Sequence, residues 1–297
     1  MILTDFNQVA IANIMQFSGD LKKNQDNKSI TNIARHAILS SLKFYKTKFQ
    51  KEFGSEMVIA CDSNNYWRKD IFPYYKASRS KQRAKSDLDW RAIFDALDLV
   101  REELKETFPY HVLRIPRVEA DDIIAVLTQW AYTNKVKSTP LFDEPEPILI
   151  ISSDKDHNQL HTYSNVRQWC PNKKRYLQAD LNILNEHIAR GDSSDGICNV
   201  LSDDDTLVTE GKRQNRMTAK RLEEFREKGR EACQNDYERR NWDRNNHLIN
   251  YNMIPDNIAE SVVKAYQDSH PERDLNSIMQ FLMYHNCAQL LDSIEDF

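Results

Sequence analysis

Short apolar runs that end in acidic residues alternate with amphipathic segments along the first two thirds of the chain. The clearest run is 148–151, where four apolar β-formers lead through two serines to Asp154 and Asp156. A continuous apolar run of this length is typical of a strand buried on both faces of a parallel sheet. Similar runs predict further strands at 1–7, 57–62, 111–115 and 166–170.

Helical periodicity fills the segments between and after these strands. In 29–49, for example, Ile30, Ile33 and Ala37 recur at spacings of three and four, which places them on one helix face. The same pattern predicts helices at 89–108, 118–127, 181–189, 217–230, 255–266 and 275–294. We therefore predict an α/β fold, with a mostly parallel central sheet flanked by helices over 1–186 and an all-helical subdomain over 187–297.

Composition narrows the class of protein. The 297 residues are 40% apolar and 29% charged, which is typical of a soluble globular protein. The pattern predicts neither a signal peptide nor a membrane span. Five cysteines without a CxxC pair indicate free thiols in a reducing compartment, and we expect a cytoplasmic protein. With only six glycines and no Walker loop, nucleotide triphosphate hydrolysis is not expected.

Acidic residues gather where the predicted strands end and in a later turn. They are Asp5, Asp62, Glu119, Asp121, Asp122, Asp154, Asp156, Asp192 and Asp195. Parallel strands bring their carboxyl ends to one edge of the sheet, so the strand-end acids are expected to lie together. Crowded carboxylates favour a neutralising cation. Because we expect no histidine or cysteine among them, the set suits Mg²⁺ or Mn²⁺, and its size suits the two ions that hydrolyse a phosphodiester.

The segment 66–85 has a different character, with seven positive charges against one negative. Trp67, Phe72, Tyr74 and Tyr75 are interleaved with these charges. Basic groups neutralise phosphates and aromatic faces stack on bases, and exposed rings are costly without a partner. The candidate nucleic-acid contacts are Trp67, Lys69, Tyr74, Arg79, Lys81 and Arg83, together with Lys220 and Arg221 on the predicted basic helix 217–230. A solvated basic loop is the simpler alternative.

Taken together, these stretches resemble the 5′-nuclease superfamily of flap endonucleases and polymerase-associated 5′–3′ exonucleases, above all its T-even bacteriophage branch. The resemblance covers nearly the whole chain. The matching stretches are Asp5 in its strand, 61–62, 66–70, 74–76, 119–127, 150–156, 159–161, 191–195 and 254–259. One departure is the segment 199–211, which is acidic and nearly glycine-free where most members have a glycine-rich helix–turn–helix that often binds K⁺.

The resemblance implies roles for these residues. Asp5, Asp62, Glu119, Asp121 and Asp154 would surround a first Mg²⁺, and Asp156, Asp192 and Asp195 a second, with Mn²⁺ as a possible substitute; Asp122 matches a further acid of the family. Arg68 and Lys76 would contact the scissile phosphate, with Tyr75 beside it. The segment 66–88 would form an arch over the active site.

The resemblance also implies an activity and partners. The activity is Mg²⁺-dependent 5′–3′ exonuclease and flap endonuclease cleavage of the ribonuclease H type, which removes RNA primers and adjacent DNA from lagging-strand fragments. The substrates would be RNA–DNA hybrid, duplex and 5′-flap DNA. The partners would be a single-stranded-DNA-binding protein and a sliding clamp, and the protein would act as a monomer in the cytoplasm of a phage-infected bacterium.

Four alternatives remain open at the level of sequence. The first is a catalytically silent, structure-specific nucleic-acid-binding protein of the same fold. The second is a small PIN-like ribonuclease, against which the long arch and the helical last third argue. The third is a phosphatase with an aspartyl nucleophile, although Asp5 is followed by Phe6 and Asn7 rather than by a second acid. The fourth is an α/β protein with incidental surface acids.

Overall fold

The computed structural model describes residues 1–23, 26–83, 86–138, 143–178, 180 and 183–297. These residues form two compact units, each built from separate stretches of the chain. The first unit comprises Met1–Ser63, Asp87–Leu177 and Ala259–Phe297, and the second comprises Asn64–Ser86 and Gln178–Ile258.

The first unit is the α/β unit. Its strands are β1 (Ile2–Asp5), β2 (Met57–Cys61), β3 (His111–Arg114), β4 (Val136–Ser138), β5 (Asp143–Pro145), β6 (Ile148–Ile151), β7 (Val166–Cys170) and β8 (Arg175–Tyr176). Its first helices are α1 (Phe6–Ile14), α2 (Ser18–Lys23), α3 (Asn27–Phe53), α6 (Trp90–Thr107) and α7 (Ala120–Asn134). It also holds most of α11 (Asp256–Gln267), α12 (Leu275–Tyr284) and two 3₁₀ segments, Asp156–Thr162 and Ala288–Asp296.

The central sheet confirms the predicted α/β class. Its strand order is β3-β2-β1-β6-β7-β8, and every pairing from β3 to β7 is parallel, with only β7 and β8 antiparallel. The predicted fifth strand, 166–170, is second from one edge. Because β1 lies between β2 and β6, the carboxyl ends of three parallel strands adjoin at one edge of the sheet.

Helices cover the sheet because its strands are apolar on both faces. A core of buried side chains from α1, α3 and α6 packs on one face, where Ile2, Ile59 and Ile151 belong to it. Helix α7 packs on β1 and β2 and buries Ile123, Ile124 and Leu127. In α3, the buried residues Ile30, Ala34, Ala37 and Ile38 follow the helical spacing that the sequence predicts.

The C-terminal helices differ from the prediction of a linear boundary at residue 186. Ile278, Leu282, Leu290 and Phe297 are buried in the same core as α3 and α6, so 259–297 belongs to the first unit. The segment 64–86, predicted as part of the first domain, groups with the second unit. The apolar faces of these segments decide the grouping, because each is buried against residues distant in the chain.

The second unit is helical. It contains α4 (Arg68–Ile71), α5 (Ser78–Arg83), α8 (Ile183–Arg190), α9 (Ala219–Lys228) and α10 (Asp236–Ile249), with 3₁₀ turns at Gly229–Ala232 and Tyr251–Met253. Its core joins Ile188, Val200, Phe225 and Trp242 to Phe72 and Tyr75. The start of the predicted helix 181–189 and residues 84–85 of the predicted arch lie outside the described residues.

All five cysteines are buried free thiols. Among the helices of the described residues, none combines the length and the apolar character that a membrane span requires.

Candidate active site and nucleic-acid interface

The strand-end acids of the first unit are held by the starts of helices. Asp5 ends β1 and caps α1, because its Oδ1 accepts a 3.0 Å hydrogen bond from the Gln8 amide. Asp62 follows β2 directly, and its Oδ1 accepts a 2.8 Å hydrogen bond from the amide of Ala120, the first residue of α7. The N-terminal end of a helix favours negative charge, so these contacts fix carboxylates at the sheet edge.

The turn after β6 places Asp154 and Asp156. The Ser152 hydroxyl lies 3.4 Å from Asp5 Oδ2 and accepts a 3.1 Å hydrogen bond from the Asp154 amide. Asp154 Oδ1 accepts a 2.9 Å hydrogen bond from the Asp156 amide. The buried side-chain amide of Gln168, on β7, donates through Nε2 to the carbonyls of Ser152 (2.9 Å) and Asp154 (2.7 Å). The turn that carries both acids is therefore fastened to Asp5 and to the neighbouring strand.

A histidine lies among the strand-end acids, contrary to the expectation from sequence. His157 is fully buried, and its Nε2 is 3.3 Å from Asp121 Oδ1. Donor atoms of Asp5, Asp121 and His157 all lie within 4.8 Å of one another. The expectation that no histidine accompanies the acids is therefore wrong. The position of His157 beside Asp156 was its only signal in the sequence, since its partner Asp121 is distant in the chain.

The electrostatics of this cluster reflect crowded negative charge. Burial, reinforced by the carboxylates of Asp121 and Asp62, raises the pKa of Asp5 to about 8. Burial by itself would lower the pKa of His157, but its hydrogen bond and ion pair with Asp121 outweigh that effect and raise it to about 9. A protonated imidazole is thus the counter-charge for acids that repel one another.

These residues fit a divalent cation. The raised pKa of Asp5 means that its buried carboxylate lacks enough positive charge nearby to stay ionised at neutral pH, and a bound cation would supply that charge. The donor atoms that lie together are carboxylate oxygens of Asp5 and Asp121, which Mg²⁺ and Mn²⁺ prefer, and a ring nitrogen of His157.

Two further predicted ligands lie at the start of α7. Glu119 is buried and is the N-cap residue, while Asp122 Oδ2 accepts a 3.1 Å hydrogen bond from the Glu119 amide. The two side chains form a reciprocal capping box, a motif that stabilises a helix start. The geometry thus gives Asp122 a role in the helix start, and metal binding by Asp122 stays a prediction.

In the second unit, the turn 191–196 follows α8 and carries Asp192 and Asp195. Gly191 has a φ of +66°, and a Cβ there would lie 2.4 Å from the Ile197 carbonyl oxygen, so only glycine fits. Asp192 Oδ1 accepts hydrogen bonds from the Ser194 amide (2.8 Å) and hydroxyl (2.6 Å), and its Oδ2 lies 3.4 Å from His187 Nε2. Local hydrogen bonds therefore orient Asp192.

Asp195 binds the segment that was predicted to form the arch. Its carboxylate accepts hydrogen bonds from Tyr75 Oη (3.0 Å) and Arg79 Nη2 (2.5 Å) and lies 3.6 Å from Lys76 Nζ. The Lys76 amide donates to the Asp195 carbonyl at 2.7 Å. At Gly196, a Cβ would lie 2.8 Å from the Tyr74 carbonyl oxygen. The turn 191–196 and the segment 74–79 are thus bound to each other by backbone and charge.

The aromatic residues of segment 66–85 are mostly buried, which corrects the expectation of exposed rings. Trp67 is 5% exposed and Tyr75 is 3% exposed, whereas Tyr74 is 37% exposed. Phe72 and Tyr75 belong to the core of the second unit. Their rings anchor the segment because apolar side chains of α8 to α10 surround them, a fact that local sequence does not reveal.

Some of the predicted basic contact residues are exposed, and others are buried or paired with acids. Lys69, Arg83 and Lys220 are exposed. Arg68 is buried and donates a 2.8 Å hydrogen bond to the Leu248 carbonyl, and Arg221 pairs with Glu224 and Glu238 at 2.7 Å each. Lys81 lies outside the residues whose side chains are described. Phosphate contacts by any of these residues stay predictions.

The fold and this site define the class of protein. Residues 13–187 match the family model described as 5′–3′ exonuclease, N-terminal resolvase-like domain, and residues 178–297 match the model described as T4 RNase H, C terminal. The chain belongs to the 5′–3′ exonuclease family of nucleases.

Particular relatives extend the likeness to the full length. The chain is 34% identical, over 309 aligned residues, to a protein named Ribonuclease H from Enterobacteria phage T4, with 99% of this chain and 95% of that protein covered. It is 27% identical over 177 residues to a protein named Exonuclease from Escherichia phage T7, with 58% of this chain and 52% of that protein covered.

Solved structures share the fold at lower sequence identity. One is a bacteriophage T5 flap endonuclease pseudo-enzyme–product complex with DNA and metal ions, with a TM-score of 0.59 and 17% identity over 90% of this chain and 99% of that one. A second is the T5 protein co-crystallised with metal ions, with a TM-score of 0.59 and 16% identity over 90% and 98%.

Proposed function

We propose that this protein is a divalent-metal-dependent 5′–3′ exonuclease and flap endonuclease of the ribonuclease H type. Its substrates would be RNA–DNA hybrid, duplex and 5′-flap DNA, and its role would be to remove RNA primers and adjacent DNA from lagging-strand fragments. The observation that carries the proposal is the crowding of carboxylates at adjoining strand ends, where the pKa of Asp5 is raised to about 8.

The first unit would hold one Mg²⁺ ion. Asp5, Asp62, Glu119, Asp121 and Asp154 are its proposed ligands, directly or through water, and Mn²⁺ is the expected substitute. Asp192 and Asp195 of the second unit would contribute ligands to a second ion. When bound, such ions supply charge neutralisation and acidified water for phosphodiester hydrolysis.

The chain's own residues prepare the site for these ions. Helix starts and the Ser152 hydroxyl hold the acids in place, so that little reorganisation is needed when a phosphate enters. His157 offsets the negative charge of Asp121 while no cation is bound. Because Mg²⁺ and a proton on His157 would both neutralise the same carboxylates, cation binding would lower the affinity of His157 for its proton.

The second unit would bind the nucleic acid. Lys76 and Arg79 pair with Asp195, which holds both side chains in place, and they would contact the phosphate of a 5′ end. Tyr74 is the exposed ring of this segment and would stack on a base. Exposed Lys69, Arg83 and Lys220 would add attraction to the backbone that weakens with salt.

The direct test is cleavage of 5′-labelled RNA–DNA hybrid, 5′-flap and single-stranded substrates, each with Mg²⁺ and with chelator. Release of short products from the 5′ end of hybrid or flap, dependent on Mg²⁺, is the expected result. Tight binding without cleavage in Mg²⁺ or Mn²⁺ would contradict the proposal and favour the silent binding protein. Cleavage that persists in chelator would contradict the metal dependence alone.

Binding to a single-stranded-DNA-binding protein and to a sliding clamp, action as a monomer and a location in the host cytoplasm are parts of the same proposal. Sedimentation of the protein alone tests the monomer. Sedimentation with each purified replication protein tests the partners, and a failure there would leave the nuclease proposal intact.

A further inference from the structure

We propose that Asn245 is a positioning residue for the turn that carries Asp192 and Asp195, and that it sets the affinity for the cation these acids would bind. The inference rests on the proposed function of those two acids. Asn245 is on α10, far along the chain from the turn, and it contacts neither acid directly.

The side-chain amide of Asn245 bridges the two backbone segments that flank the turn 191–196. Its amide Nδ2 donates to the carbonyl of Ile188 at 2.8 Å and to that of Cys198 at 2.9 Å. Ile188 precedes the turn 191–196 and Cys198 follows it, so one side chain joins the two arms. Asn245 is fully buried, and both of its N–H donors are therefore used in a place that water does not reach.

The backbone leaves little freedom at the same point. A Cβ on Gly191 would lie 2.5 Å from the Cys198 carbonyl oxygen, so the arm that Asn245 holds passes directly against the start of the turn. The Ile197 amide donates to the Asp192 carbonyl at 2.7 Å. A shift of the Cys198 arm would consequently be passed to the backbone of Asp192.

The orientation of the Asn245 amide is itself determined. Its Oδ1 accepts hydrogen bonds from Arg244 Nε (3.0 Å) and Nη2 (2.8 Å). Arg244 Nη2 also lies 3.2 Å from the Cys198 carbonyl oxygen, and its Nη1 binds Asp204. Since guanidinium groups only donate, the amide must turn its oxygen to Arg244 and its nitrogen to the turn. The ion pair between Arg244 and Asp204 thus helps to fix the orientation of the Asn245 side-chain amide.

The same helix offers a matched control one turn earlier. Asn241 is also fully buried, and its Nδ2 donates to the carbonyls of Val200 (3.0 Å) and Ser202 (3.2 Å). Its Oδ1 accepts from Arg240 at 3.0 Å. Asn241 therefore has the same chemistry and burial, but the carbonyls it holds lie beyond the turn.

The experiment compares Asn245→Ala with Asn241→Ala in the full chain. Each variant removes a buried side-chain amide that donates to two carbonyls, so we expect similar falls in Tm, on the order of 5 °C. Loss of a group that orients metal ligands typically changes metal affinity by about 10-fold or more. We therefore expect Asn245→Ala to raise the Mg²⁺ concentration for half-maximal cleavage by about 10-fold, and Asn241→Ala to change it by less than about 2-fold.

A second readout does not depend on activity. Titration of the protein with Mn²⁺ in the absence of nucleic acid, followed calorimetrically, should show one weakened site in Asn245→Ala and unchanged binding in Asn241→Ala. Equal metal affinities of the two variants, whether both reduced or both unchanged, would overturn the proposal. If the alanine variants do not fold, Asn245→Ser and Asn241→Ser, which each keep one donor, decide by the same comparison.

The failure of this inference differs from the failure of the proposed function. A wild-type protein that cleaves nothing in Mg²⁺ or Mn²⁺ would remove the function on which the inference rests. A wild-type protein that cleaves normally, with variants alike in metal affinity, would remove only the role of Asn245.

Discussion

The hydroxyl of Tyr75 donates a 3.0 Å hydrogen bond to the carboxylate of Asp195, although 120 positions separate the two residues. This contact ties a residue predicted to lie beside the scissile phosphate to one predicted to bind a metal. It shows that the basic segment is part of the folded second unit. The two residues can therefore be tested both for stability and for function.

Substitutions of the adjacent residues Tyr74 and Tyr75 should separate an effect on stability from an effect on nucleic-acid binding. Tyr75→Ala should cost about 3–4 kcal/mol of unfolding free energy, because the ring is buried in the core and leaves a cavity. Tyr75→Phe should cost about 1 kcal/mol for the lost hydrogen bond. Tyr74→Ala should cost about 1 kcal/mol, because its ring is 37% exposed and packs edge-on against Phe72, but it should weaken binding of single-stranded DNA. Urea unfolding and fluorescence anisotropy measure the two quantities. Equal stability losses at 74 and 75 would contradict this assignment.

Asp121→Asn should abolish cleavage and leave binding of duplex DNA largely intact, because a metal ligand is lost while the basic contacts remain. The metal-free protein should change in stability by less than about 1 kcal/mol. Removing the Asp121 charge makes the rise in the pKa of Asp5 smaller, and this gain offsets the loss of the His157 ion pair. The control is Asp236→Asn, an acid whose side chain is 99% exposed, which should cleave normally. Cleavage at the wild-type rate by Asp121→Asn would exclude this residue from the site.

Asp122→Ala should act mainly on stability. The loss of its hydrogen bond to the Glu119 amide removes half of the capping box, which costs about 1–2 kcal/mol. Asp95→Ala, at an exposed acid on α6, should cost less than about 0.5 kcal/mol. Urea unfolding gives the comparison. If Asp122→Ala instead keeps its stability and loses Mn²⁺ binding, Asp122 is a metal ligand as the resemblance implies.

Lys46 should make stability depend on pH in the alkaline range. Burial, with a smaller contribution from the charge of Arg273, lowers its pKa from 10.5 to about 8 in the folded state. Below pH 8 the lysine is charged in both the folded and the unfolded state. The folded protein then carries the full free-energy cost of burying the charged amine. Between pH 8 and 10.5 the unfolded state binds more protons, so stability from this group rises with pH.

The substitution Lys46→Met tests that cost. It should stabilise the protein by about 2 kcal/mol at pH 7.5, after allowance for solvent near the amine, and the gain should shrink towards pH 10. Lys51→Met, at an exposed position on the same helix, should change stability by less than about 0.5 kcal/mol at either pH. A gain from Lys46→Met that is constant from pH 7.5 to 10 would show that packing, and not charge, is its cause.

The strands and most helices were predictable from sequence because their signals are local. A strand such as β6, covered on both faces, must be apolar throughout, and a helix such as α6 must repeat its apolar residues at three and four positions. The placement of Asp5, Asp62 and Asp154 at one sheet edge followed from those strands, since parallel strands end together. The family resemblance rested on the same spacing of acids.

The tertiary structure decided which side chains are buried and which groups contact each other. Nothing near Phe72 or Tyr75 in sequence indicates that helices more than 100 residues later bury these rings. Likewise, His157 joins the acids because the turn after β6 brings it to the start of α7, and Asn245 meets the turn 191–196 only through the packing of α10. The sequence by itself determined which chemistry this protein carries, because residue type and local period are written along the chain. The tertiary structure decided which of those groups meet, because burial and pairing depend on residues that the chain brings together only when it folds.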